Sequence, residues 1–85
     1  MAEQKPSRKD LLGKIRSTLA DLLDNNDFQL SESTVAEDVD DWDSINHVRL
    51  LIALERELGF RFRADEASGL KNVGELIDVI ETKLS

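Results

Sequence analysis

Eighty-five residues with a net charge of −7 provide one small core and leave no room for a second domain. The absence of cysteine excludes disulfides, thiolate metal sites and a thiol nucleophile, and it fits a reducing compartment. No Lys or Arg falls between Arg16 and Arg49, while carboxylates run from Asp21 to Asp43, so the clustered cations that nucleic acid or an anionic membrane demands are missing.

Apolar residues are 40% of the chain and aromatics 5%, a supply rich in Leu, Ile and Val that suits a small helical bundle better than a β-sandwich. In chain order, residues 1–7 read as a flexible polar tail, and no apolar signal segment backs the charges of MAEQKPSRKD. Ser7 is the natural cap of a first helix starting near Arg8, with Asp10 in its first turn, where negative charge suits the helix dipole. Leu11, Leu12, Ile15, Leu19, Leu22 and Leu23 recur at helical spacing and make its apolar stripe. Asp24-Asn25-Asn26-Asp27 breaks that pattern and opens a long connection whose apolar anchors are Phe28, Leu30 and Val35. Connections this long are usually functional or disordered, and the anchors favour a loop pinned across the bundle.

A second helix is expected over Ser44 to Leu58, capped by Asp43 and stopped at Gly59, with Ile45, Val48, Leu51, Ile52, Leu54 and Leu58 as its apolar residues. That set is wider than one face needs, so part of it is expected to be exposed. Phe60 and Phe62 alternate with Arg61 and Arg63, but without a partner strand they read as an extended link into a short helical turn at residues 65–68. Asn72 and Glu75 have capping-box spacing, and Val73, Leu76, Ile77, Ile80 and Leu84 form the stripe of the last helix. The expected fold is all-α: a small four-helix bundle of three main helices and one short helix, with a long first loop. The longest apolar run, Leu50-Leu51-Ile52-Ala53-Leu54, is far short of the ~20 residues of a spanning helix, so the expectation is a cytoplasmic protein without stable membrane insertion.

The stretch EDVDDWDSINHV crowds carboxylates ahead of Ser44, at the start of the second helix. Ser44 and His47 stand at i and i+3, so the two side chains can approach. Yet the chain has no nucleophile elbow, and its size argues against a dry pocket with an oxyanion hole, so no catalytic residue is assigned. Nor do the aspartates form a calcium loop. Counting from Asp38 puts Trp42 fifth, Asp43 sixth where Gly is required, and Arg49 twelfth, while counting from Asp24 puts Phe28 fifth and Val35 twelfth. No metal site is assigned. What remains is the helix start itself, whose first N–H groups lack intrahelical partners and favour a phosphate. A basic patch on a partner is the natural complement of the acidic loop; acidity that serves only solubility is the competing reading.

D-S-I at the head of the second helix, after a long acidic loop, resembles the phosphopantetheine attachment site of acyl carrier proteins. The run from Ser44 to LERELGFRF and the ending KNVGELIDVIETKL are similar to that family too, so the resemblance spans about residues 8–84. It implies a carrier domain over residues 8–85 that carries rather than catalyses. Ser44 would receive a 4′-phosphopantetheine arm from a phosphopantetheinyl transferase, and acyl-activating or acyl-transferring enzymes with basic docking patches would bind a monomer. It further implies partner contacts at Asp43, at Ile45 next to the attachment serine, at Ile52 and at Glu55. Two departures from the family pattern stand out. Asn46, Arg49 and Arg56 interrupt the acidity typical of the second helix in housekeeping fatty-acid carriers, and Trp42 is bulkier than the residue usual there. Trp42 is expected to pack against the bundle, and Arg49 to repel general fatty-acid enzymes. The expectation is a specialised lipid or secondary-metabolite carrier. An aminoacyl or peptidyl carrier of nonribosomal type and an unmodified helical interaction module remain as alternatives.

Overall fold

The computed structural model describes residues 6–84. Of the tail expected over residues 1–7, residues 1–5 lie outside the described residues, and Ser7 already belongs to the fold. Four α-helices follow one another: α1 (Arg8–Leu23), α2 (Ser44–Leu58), the short α3 (Ala64–Ser68) and α4 (Val73–Leu84), with one 3-10 turn at Ala36–Asp38. No strand occurs among the described residues, and none of their helices is long and apolar enough to cross a membrane.

The helix ends are set locally. The Asp10 N–H donates to the Ser7 hydroxyl at 3.1 Å and the Ser7 N–H to the Asp10 carboxylate at 3.2 Å, a complete capping box. Helix α1 leaves through Asp24 in the left-handed region (φ 51°), which Asp tolerates better than most side chains. Helix α2 ends at Gly59 (φ 78°), whose N–H donates to the Glu55 carbonyl at 2.9 Å. At α4 the box is modified. The Glu75 N–H donates to Asn72 Oδ1 at 2.8 Å, but the Glu75 carboxylate accepts from the Lys71 N–H, one residue before the cap.

Helix α1 packs against both α2 and α4. The core is Leu11, Ile15 and Leu19 from α1, Leu50, Leu51 and Leu54 from α2, and Val73, Leu76, Ile77 and Ile80 from α4. Each such aliphatic side chain, fully buried, contributes roughly 1.5–3 kcal/mol. Leu12, Leu22 and Leu23 of the expected α1 stripe are only half-buried at its margin.

The long loop is pinned, partly at the expected anchors and partly elsewhere. Phe28 and Leu30 pack on the core margin, but Val35 is only half-buried and does not join it. The anchoring side chains are Val39, 4% exposed, and Trp42, 7% exposed, inside the acidic run itself. Trp42 packs against the bundle as expected. Backbone contacts hold the earlier half: Val73 N–H donates to Thr34 O at 2.9 Å and Gly74 N–H to Glu32 O at 2.7 Å. Glycine serves that approach, because a β-carbon at Gly74 would lie 3.0 Å from the Glu32 carbonyl oxygen. Arg16 donates to the carbonyls of Asn26 (2.7 Å) and Phe28 (3.1 Å), with its guanidinium 5.1 Å above the Phe28 ring. Arg8 reaches Glu32 at 2.6 Å, Asp78 at 2.7 Å and Glu81 at 2.6 Å, clasping loop, α1 and α4.

Candidate functional site at the head of the second helix

Ser44 is the first residue of α2 and is exposed. Its position follows from a sharp local turn. Asp41 takes a left-handed conformation (φ 70°), its carbonyl accepts from the Asp43 N–H at 3.0 Å, and the Asn46 side chain donates to that same carbonyl at 2.9 Å. Asp43 then caps the helix, its carboxylate accepting from the Asn46 N–H at 2.8 Å. The cap therefore serves the third position of the turn. The N–H groups of Ser44 and Ile45, before it, have no intrahelical carbonyl to donate to.

Beneath this turn lies a lock that the residue spacing did not reveal. The Trp42 indole N–H donates to His47 Nδ1 at 3.2 Å, and the two ring centroids are 5.9 Å apart. An acceptor Nδ1 is unprotonated, and burial pushes the His47 pKa below its ordinary value, favouring the neutral ring. His47 is thus engaged with Trp42 rather than with Ser44. Among the described residues the Ser44 hydroxyl has no side-chain hydrogen bond, and no three His, Cys, Asp or Glu side chains group as a metal site would require. The serine has the geometry of an accessible hydroxyl, not of an activated nucleophile.

The outer face of α2 carries the other candidates. Ile45 is 63% exposed, Val48 54% and Ile52 45%. Core packing at Ile45 and Ile52, which their spacing equally allowed, does not occur; Leu50, Leu51 and Leu54 face α1 and the core instead. Ser44, Ile45, Val48 and Arg49 line one open depression, and Ile52, Glu55, Arg56, Phe60 and Arg61 line a second. Ile45 and Arg49 thus lie beside the serine, Ile52 and Glu55 further along, and Asp43 at the cap. Glu55 has a structural task as well, since its carboxylate accepts the Phe62 N–H at 2.7 Å and fixes the link after α2. Phe62 in turn packs edge-to-face on Phe60 at 4.9 Å. The sequence marks Val48 as a helix residue and Arg61 as a link residue, not as parts of the site. The spacing Ile45, Val48, Ile52 was the available signal for Val48, a second apolar stripe beside Leu50, Leu51 and Leu54.

Comparison with known proteins gives a consistent answer. The chain is 32% identical over 80 residues to an acyl carrier protein of Thermosynechococcus vestitus, covering 93% of this chain and 98% of the relative. It is 34% identical over 71 residues to one from Clostridium perfringens, covering 82% and 92% respectively. A solution structure of holo acyl carrier protein from Geobacter metallireducens superposes with a TM-score of 0.78 at 34% identity, covering 86% of this chain and 84% of that one. No family model matches the chain. An all-helical fold shared with a solved carrier, together with relatives above 30% identity along nearly their whole length, establishes that the chain belongs to the acyl carrier protein family.

Proposed function

We propose that this chain holds acyl groups as thioesters on a 4′-phosphopantetheine arm joined to Ser44, and delivers them to partner enzymes of a specialised lipid or secondary-metabolite pathway in the cytoplasm. The prosthetic group comes with the family; the choice of Ser44 rests on one observation, an exposed hydroxyl without a hydrogen bond at the first position of α2, beside an open depression.

The residues present fit such a group. Ser44 would hold the group at the N-terminus of α2, where the N–H groups of Ser44 and Ile45 lack intrahelical partners and the helix dipole would favour a phosphodiester's negative charge. Asp43 secures the turn without occupying the serine hydroxyl, and the Trp42–His47 pair holds the loop-to-helix junction from inside. The arm supplies the thiol that this cysteine-free chain lacks. Ile45 and Val48 offer an apolar surface to the phosphopantetheinyl transferase, and Ile52 and Glu55 stand further along for later partners. The acidic loop favours fast, weak docking, which suits complexes that must release.

Intact mass spectrometry after incubation with coenzyme A and a promiscuous transferase tests the assignment. A mass gain equal to one phosphopantetheine, abolished in Ser44→Ala, is the expected result. An unmodified wild-type chain would instead favour a helical interaction module. Loading by an aminoacyl-activating enzyme rather than an acyl-activating one would move the chain to the nonribosomal type.

A further inference from the structure

The formal charges of α2 cancel on paper: Arg49 and Arg56 against Glu55 and Glu57. In three dimensions they separate. The Glu57 carboxylate lies 2.5 Å from the Lys14 ammonium and accepts from the Thr18 hydroxyl at 3.2 Å, so it is spent against α1. Glu55 accepts the Phe62 N–H, which fixes its orientation while leaving its negative charge at the edge of the second depression. Arg49 and Arg56 are exposed and, among the described residues, make no hydrogen bond or ion pair. At 3.6 residues per turn, Ile45, Val48, Arg49, Ile52 and Arg56 fall within an arc of about 100°, with the two guanidinium-bearing positions about 10 Å apart along the axis. That arc contains three aliphatic side chains and two cations, with the Glu55 carboxylate at its margin in the second depression. Arg61 adds a third cation beside Arg56, at the second depression. In the loop ahead of α2, Glu37, Asp38, Asp40, Asp41 and Asp43 are exposed and make no ion pair among the described residues.

From this layout, which deepens the carrier reading and rests on it, we infer that the chain docks partner enzymes of two-signed surface: a basic rim facing the acidic loop around Ser44, and carboxylates flanking an apolar socket opposite Arg49, Ile52 and Arg56. A uniformly basic surface would meet repulsion along the arginine half of α2, so the same face that recruits such partners rejects others. Three arginines beside an acidic loop make a poor site for any polyanion. A second copy of this chain is disfavoured as the occupant. Three exposed aliphatic side chains are far from the ~1,200–2,000 Å² of a stable interface, and such a dimer would cover Ser44.

The test uses the full chain, with attachment of the arm verified by intact mass, and measures its affinity for a ketoacyl synthase with a lysine- and arginine-rich docking surface over a salt series. Wild type is expected to bind weakly, and its affinity to hold steady or rise as salt increases. Arg49→Glu combined with Arg56→Glu is expected to bind about tenfold tighter at low salt and to lose that gain at high salt. The milder Arg49→Gln with Arg56→Gln should shift in the same direction by less, and Asp40→Asn with Asp41→Asn should weaken binding in either background. An unchanged affinity and salt slope in the double glutamate variant would overturn the inference. So would a wild-type dimer, seen by sedimentation, that the double variant abolishes, since the arginines would then face a second copy. Should the arm fail to attach, the carrier reading falls separately, and the same binding series on the bare chain still decides the docking.

Discussion

The two halves of the long loop handle charge in opposite ways. In the half ending near Thr34, Glu32 is bound to Arg8 together with Asp78 and Glu81, and two backbone hydrogen bonds tie the segment to the start of α4. In the half from Glu37 to Asp43, the carboxylates pair with no cation among the described residues, and attachment rests on Val39, Trp42 and the cap of α2. The first half uses acidity internally, as a clasp. The second leaves it facing outward and is held down by apolar burial instead, so its charge stays available where partners must come. Net charge alone cannot separate these two uses.

Removing Trp42 should divide the halves most sharply. Trp42→Ala empties a buried site and deletes the lock on His47, so a loss of about 3–5 kcal/mol in urea unfolding is expected. In amide exchange the faster residues should be 36–47, while the Val73 and Gly74 amides, which donate to the earlier half, stay protected. Equal acceleration at both places would mean that the loop behaves as one unit.

Arg8→Ala should do the reverse, exposing the Val73 and Gly74 amides and sparing the Trp42–His47 turn. Its pH dependence has a definite sign. Arg8, through its hydrogen bonds above all, holds the Glu32 carboxyl below the ordinary 4.5, so this contribution is present above that value and lost as pH falls through the lower folded one. Wild type should therefore lose more melting temperature than Arg8→Ala on acidification below about pH 4.5. Both side chains of the pair face solvent, so the difference should shrink in high salt.

The smallest effect belongs to His47, the single histidine of the chain. Burial lowers its folded pKa, so the unfolded chain takes up the proton more readily. Its contribution is complete above the ordinary 6.5 and is lost as pH falls below it. Melting between pH 7 and about 5.5 should show a shallow decline, accompanied by a change in Trp42 fluorescence, and His47→Gln should flatten it. A decline that persists unchanged in the variant would assign it to the carboxylates instead.

Much of this architecture was legible from residue types alone, because caps and stops are local. A serine three residues before Asp10, Asp43 three before Asn46, and Gly59 with its freedom at positive φ each act within one turn of backbone. So does the placement of Ser44 as the first residue of α2, which follows once Asp43 is the cap. Periodicity likewise gave the α1 and α4 stripes, since each has a single apolar face. Helix α2 has two, one through Ile45, Val48 and Ile52 and the other through Leu50, Leu51 and Leu54, and spacing weighs them equally. Only the docking of α1 chooses which becomes core. The packing of Trp42 was expected, but Val39 was not legible as an anchor, because its burial depends on a surface assembled from distant helices. The pairing of Glu57 with Lys14 was settled the same way, so the cationic excess of the outer face emerges only in the folded chain. Side chains compete locally for backbone groups but globally for neighbours, and the second contest is decided only when the helices meet.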